Sequence, residues 1–121
     1  MAAHNEAGRR AEQDACDYLE RQGLRLVERN YRCASGEIDL IMRDRDTLVF
    51  VEVRYRRSRR FGGGAESVDR RKQGKLSATA AHYLQTHPGA ARRPCRFDVI
   101  ALTGADNGHP HVDWISNAFQ T

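Results

Sequence analysis

The chain has 121 residues, 40% of them hydrophobic and 30% charged, which suits one globular domain and excludes a disordered chain or a fibre. Its net charge is +4 and its pI near 9.3, and no apolar run approaches the ~20 residues needed to cross a bilayer. Met1 to Arg10 lacks the apolar stretch of a signal peptide, so the expected location is the cytoplasm, with no membrane partner.

In chain order, Glu6 to Gln22 reads as a helix: Ala7, Ala11, Ala15, Tyr18 and Leu19 recur at helical spacing and Gly23 supplies a stop. Leu24 to Tyr31 alternates imperfectly and reads as a first strand, followed by an Ala34-Ser35-Gly36 turn. Glu37 to Arg43 and Thr47 to Arg54 read as two further strands around the polar turn Asp44-Arg45-Asp46. Tyr55 to Glu66, basic and then glycine-rich, reads as a loop. Ser67 can cap a second helix running to about Thr86, with Leu76, Ala80, Tyr83 and Leu84 on its buried stripe and His87-Pro88-Gly89 ending it. Arg96 to Leu102 reads as a short buried strand and Thr103 to Gly108 as a loop. His111 to Ile115 reads as an edge strand before a tail over 116–121. The order α-β-β-β-α-β-β predicts an α/β fold. Its mixed central sheet is flanked by helices, and the third strand reaches the fourth by a crossover through the second helix.

The two strong strands carry the functional signal. With a two-residue turn that sets Asp44 opposite Thr47, Asp39 falls opposite Glu52 and Glu37 opposite Arg54. These polar residues share a face with Ile41, Leu48 and Phe50. The other face takes Ile38, Leu40, Met42, Val49, Val51 and Val53, a wholly apolar set that a slip of one residue would scramble. Two carboxylates directly across a hairpin lie ~5 Å apart at Cβ and repel. If they are partly buried, they need either a raised pKa or a cation. Hard oxygen donors without histidine or cysteine point to Mg2+ or Mn2+. A salt-bridged structural pair is the plainer alternative, and residue type and spacing leave both open.

The remaining features mostly exclude. Cys16, Cys33 and Cys95 are odd in number and far apart, without a CxxC, so neither a zinc ribbon nor a disulfide framework is expected and the thiols should be reduced. His109 and His111 have no third ligand nearby and read as structural or solvated. No phosphate-loop or dinucleotide glycine pattern occurs, so no nucleotide cofactor is expected. Positive charge is local: residues 54–72 hold 8 basic and 2 acidic side chains, against 8 and 11 in residues 1–53. In the run Tyr55 to Gly64, arginines interleaved with two aromatics can grip phosphates and stack on unpaired bases; the bland reading is a solvated loop. Asp98 is expected to pair with Arg96 or a helix end rather than to bind metal, Glu37 to pair with Arg54, and Trp114 and Phe119 to cover the core edge.

Gly36-Glu37-Ile38-Asp39-Leu40-Ile41, followed by Val49-Phe50-Val51-Glu52-Val53-Arg54, resembles the YraN (UPF0102) family of small bacterial proteins. Gly8-Arg9-Arg10-Ala11-Glu12, Lys72-Gln73-Gly74-Lys75-Leu76 and Arg96-Phe97-Asp98-Val99 match in the same order, so the resemblance spans about residues 6–102. It implies a restriction-endonuclease-like fold related to Holliday-junction resolvases and the wider PD-(D/E)XK nucleases, with residues 1–121 as a single nuclease-like domain. It further implies that Asp39 and Glu52 ligate Mg2+ or Mn2+, with the Val53 carbonyl as a third ligand. Glu12 matches an acidic residue brought in from the first helix, and Gln73 a glutamine that helps order the site. Arg54 departs from the pattern, which has lysine there. Arginine can stabilise charge on a phosphate, but its pKa is too high for a base, although a metal can take over generation of the nucleophile.

Two functions are therefore expected in competition. One is a metal-dependent endodeoxyribonuclease, acting on branched DNA, with Asp39, Glu52, Arg54, Glu12 and Gln73 at its centre and a homodimer suited to a symmetric substrate. Arg56, Arg57, Arg59, Arg60 and Lys72 would hold the phosphate backbone. The other is a protein of the same fold that binds nucleic acid or a protein partner without cutting.

Overall fold

The structure is a computed structural model, and it describes residues 6–56, 68–104 and 110–120. Helical spacing places Gly8, Ala11, Glu12, Ala15, Cys16 and Leu19 along one stripe of α1 (Glu6–Arg21), and that stripe is the buried one. Five strands follow in the expected order: β1 (Arg25–Cys33), β2 (Gly36–Asp44), β3 (Thr47–Arg56), β4 (Cys95–Thr103) and β5 (His111–Phe119). Between β3 and β4 run α2 (Arg70–Thr86) and a single turn, α3 (Pro88–Ala91). The sheet order is β1-β2-β3-β4-β5, antiparallel except for the parallel β3–β4 pair that the α2 crossover makes possible.

Each face of the sheet has its own core. On one side, Leu40, Met42, Val49, Val51, Ile100 and Leu102 pack under Ala11, Ala15, Cys16 and Leu19 of α1. On the other, Ile38, Ile41, Leu48, Phe50, Phe97 and Val99 pack under Leu76, Ala80 and Tyr83 of α2. Central strands covered on both faces explain why β3 and β4 read as nearly continuous apolar runs.

Several boundaries differ from the sequence reading, each for a local reason. Tyr55 and Arg56 are not loop: β3 continues through them because β4 pairs alongside, Tyr55 with Leu102 and Arg56 with Thr103. Residues 57–66 lie outside the described residues. The cap of α2 is Asp69, whose side chain accepts Lys72 N–H, and Ser67 is outside the described residues. Pro88 starts the turn of α3, a position where its missing N–H costs nothing. Residues 116–119 are no tail. They extend β5, because the buried Asp98 carboxylate accepts both Trp114 Nε1–H and Asn117 N–H at 2.9 Å while Phe119 stacks on Phe97.

Asp98 also takes both arms of the Arg96 guanidinium, at 3.0 and 3.2 Å, and Arg96 reaches on to Asp44. It is a structural hub, as its neighbours in sequence suggested. All three thiols are free, with Cys16 buried and Cys95 exposed. His111 pairs with Asp113 at the surface, and His109 lies outside the described residues. No helix of the described residues is long and apolar enough to cross a membrane.

Candidate active site

The β2–β3 hairpin keeps the expected register from Asp44 opposite Thr47 as far as Leu40 opposite Val51. There the backbone pairing stops and a side chain takes over: Asp39 Oδ2 accepts the Val53 N–H at 2.8 Å. On the β1 side, Asn30 stands across from Asp39, between the pairs Arg29–Leu40 and Tyr31–Ile38. Its φ of 50° is a left-handed conformation that asparagine adopts more readily than most residues.

This distortion interrupts the alternation of β2. Ile38 joins Ile41 and Phe50 on the α2 side, whereas Leu40 and Met42 face α1. The apolar face expected to hold Ile38 with Leu40 is therefore divided, because a strict period of two requires an unbroken pleat. Beyond the break Glu37 no longer faces Arg54. It lies across from Arg32 on β1 and forms its ion pair there.

The break turns Asp39 toward carboxylates from both sides of the sheet. Glu52, 4% exposed, follows Phe50 on β3, and Glu12 sits on the buried stripe of α1. Glu12 Oε1 accepts Asn30 Nδ2–H at 3.0 Å, which ties α1 to the distorted position of β1. Asp39 is pushed up to about 8, first by burial and then by the charge of Glu52. A hydrogen bond with Glu52 and the charge of Glu12 act in the same direction, against the Val53 N–H. Burial beside a second carboxylate thus favours the protonated form of the Asp39 carboxyl over its anion.

Two cations face Glu52. Lys72 Nζ lies 3.0 Å and Arg54 Nη1 3.4 Å from Glu52 Oε2. The position of Lys72 beside Glu52 is the main addition to the sequence reading, in which it is one of the residues expected to hold the phosphate backbone. A lysine in the first turn of a helix carries no signal for its contact across the crossover. The Gln73 amide donates to the Val68 carbonyl at 2.9 Å, fastening the approach to α2. Val53 contributes its N–H to Asp39. Arg56 ends β3, where its carbonyl accepts Gly104 N–H, and Arg57, Arg59 and Arg60 lie outside the described residues.

Among the described residues, no three His, Cys, Asp or Glu side chains converge closely enough to hold a metal ion between them. Two carboxylates remain, with backbone and water oxygens to complete a shell. That donor set fits Mg2+ or Mn2+, which keep several waters and commonly take one or two carboxylates. A cation between the two carboxylates would relieve the repulsion that raises Asp39. A concavity of about 960 Å³ lies elsewhere, between Arg10, Asp14 and Tyr18 of α1 and Tyr55 and Val112.

The protein family described as Uncharacterised protein family UPF0102 matches residues 11–102, a span that holds Glu12, Asp39, Glu52, Arg54 and Lys72. A UPF0102 protein of Nitrosococcus oceani is 52% identical over 119 residues, covering 98% of this chain and 95% of its own. One from Stutzerimonas stutzeri is 52% identical over 121 residues, covering all of both chains. Another, from Pseudomonas putida, is 49% identical over 119 residues, covering 98% of this chain and 97% of its own. With matches of this extent in both directions, the chain belongs to the UPF0102 family.

Proposed function

We propose that the protein is a Mg2+- or Mn2+-dependent endonuclease that hydrolyses DNA phosphodiester bonds, with branched or flapped DNA as its substrate class. The observation that carries this reading is the buried Asp39–Glu52 pair, with Asp39 held by the Val53 N–H and Glu52 faced by two cationic side chains. A structural ion pair would match each carboxylate with its own cation. Here Asp39 has a carboxylate for its neighbour, an arrangement typical of sites that await a metal or tune a proton.

Asp39 and Glu52 would hold the cation, with the Val53 carbonyl as a further ligand and the Val53 N–H orienting Asp39. The metal, when bound, supplies Lewis acidity at the phosphoryl group and acidifies the attacking water. Glu12 adds negative charge behind the pair and anchors the distorted backbone through Asn30. Arg54 can stabilise charge accumulating on the phosphate. Arg56 ends the strand that carries Glu52, and Arg57, Arg59 and Arg60 come next in sequence; together they would hold the flanking phosphates. A homodimer would present two such sites to a symmetric junction.

Arg54 favours a second reading, a protein that binds structured nucleic acid without cutting it. The two separate in a cleavage assay on linear, flapped and four-way DNA with Mg2+ and with Mn2+. The first reading predicts metal-dependent cleavage that Asp39→Asn and Glu52→Gln abolish. No cleavage by wild type, and none gained by Arg54→Lys, would rule it out; salt-dependent binding alone would then favour the second.

A further inference from the structure

We infer that Lys72 supplies from α2 the amine that the strand motif lacks at Arg54, and that in the metal-free protein the same ammonium is the counter-ion of Glu52. The catalytic half rests on the endonuclease reading, whereas the counter-ion half does not.

The contact is close and its supports are visible. Lys72 Nζ approaches Glu52 Oε2 to 3.0 Å, nearer than Arg54 at 3.4 Å. The first turn of α2 is fixed from two sides, by Asp69 accepting Lys72 N–H at 2.8 Å and by Gln73 donating to the Val68 carbonyl. The Lys72 side chain is 44% exposed and the Glu52 side chain 5%, so the ammonium spans from solvent to a buried carboxylate. The chain has two lysines. The other, Lys75, lies a turn further on and backs onto Gly36 and Thr79.

The two cations at Glu52 differ in chemistry. The guanidinium of Arg54 is a wide planar fork, whereas an ammonium is a compact point charge with three rotatable donors. A cation held by Asp39 and Glu52 would take over neutralising Glu52 and free the Lys72 ammonium for the phosphate outside. The lysine of this site would then come from the helix that follows the motif rather than from the motif itself.

Four proteins test this: wild type, Lys72→Gln, Lys72→Arg and the double variant Lys72→Gln/Arg54→Lys. Each is checked by thermal melting, titrated with Mn2+ calorimetrically without DNA, and assayed for cleavage of a labelled flap at saturating Mn2+. Lys72→Gln removes a competitor for Glu52 and should bind Mn2+ about threefold more tightly, the scale of a partly exposed ion pair. Its cleavage should fall by roughly 100-fold, as on losing one donor to transition-state charge. The double variant should regain about tenfold of that loss, or more. Should Lys72→Gln melt early, Lys72→Arg preserves the charge; its Mn2+ affinity should match wild type while its cleavage stays slow.

Cleavage by Lys72→Gln within about threefold of wild type overturns the catalytic half. Unchanged or weaker Mn2+ binding by Lys72→Gln overturns the counter-ion half, whatever the cleavage result. Tighter Mn2+ binding with no cleavage by any of the four overturns the endonuclease reading and the catalytic half with it, and supports the counter-ion half.

Discussion

Replacing Asp39 by asparagine should remove a pH dependence of stability that the metal-free fold carries. Burial first, and the charge of Glu52 second, raise this carboxyl from 3.8 to about 8. The folded protein holds the proton more tightly than the unfolded chain does. The stabilisation is therefore complete below about pH 4, declines as the pH rises, and is lost above about pH 8. Each unit of separation corresponds to ~1.4 kcal/mol, which sets a ceiling on the order of 6 kcal/mol. Relaxation of the structure around the ionised carboxylate reduces the expected loss to on the order of 2 kcal/mol between about pH 5 and about pH 8. Asparagine keeps the shape and an acceptor for the Val53 N–H but cannot ionise. Urea unfolding in EDTA, followed by the fluorescence of Trp114, gives stability against pH for both proteins. Wild type should lose stability across this range relative to Asp39→Asn, and Asp39→Asn should be the more stable at about pH 8. Parallel curves would refute the assignment of a proton to the buried pair.

Other expectations follow from particular contacts. Gly36 has φ 150° and a Cβ there would stand 3.2 Å from Thr79 Oγ1, itself fully buried and bonded to the Lys75 carbonyl. Gly36→Ala should therefore cost about 1–3 kcal/mol in a denaturant melt, and a neutral result would contradict this tight α2–β2 approach. Asp98→Ala strands Arg96, Trp114 and the Asn117 N–H at once, and should cost about 3–5 kcal/mol. A loss under about 1 kcal/mol would show that Asp98 does not hold β5. Thiol labelling of the native protein should modify Cys95 quickly and leave Cys16 untouched until the chain unfolds. Early reaction at Cys16 would place α1 off the sheet.

The outcome at individual residues shows what a sequence carries. The hairpin register was legible because the turn and two rows of apolar residues admit one alignment, and the pairs from Asp44–Thr47 to Leu40–Val51 follow it. Beyond Leu40 the same logic failed. The bend at Asn30 and Asp39 depends on hydrogen bonds to Glu12 and Val53 that no spacing rule encodes. That bend moved Ile38 to the other core and gave Glu37 to Arg32. The length of β5 depends on a carboxylate in a different strand, Asp98, and so read as a tail. The pairing of Asp98 with Arg96 was legible because alternate residues on a strand share a face. Lys72 illustrates the harder limit: its partner is twenty residues away and is set by how the crossover helix lands.

Calorimetric titration of wild type and Asp39→Asn with Mn2+ at neutral pH tests most directly the claim that Asp39 and Glu52 form a cation site. The account predicts one site per chain in wild type, with protons released on binding, and its loss in Asp39→Asn although that variant remains folded. Equal binding by both proteins, or none by wild type at millimolar Mn2+, would contradict it.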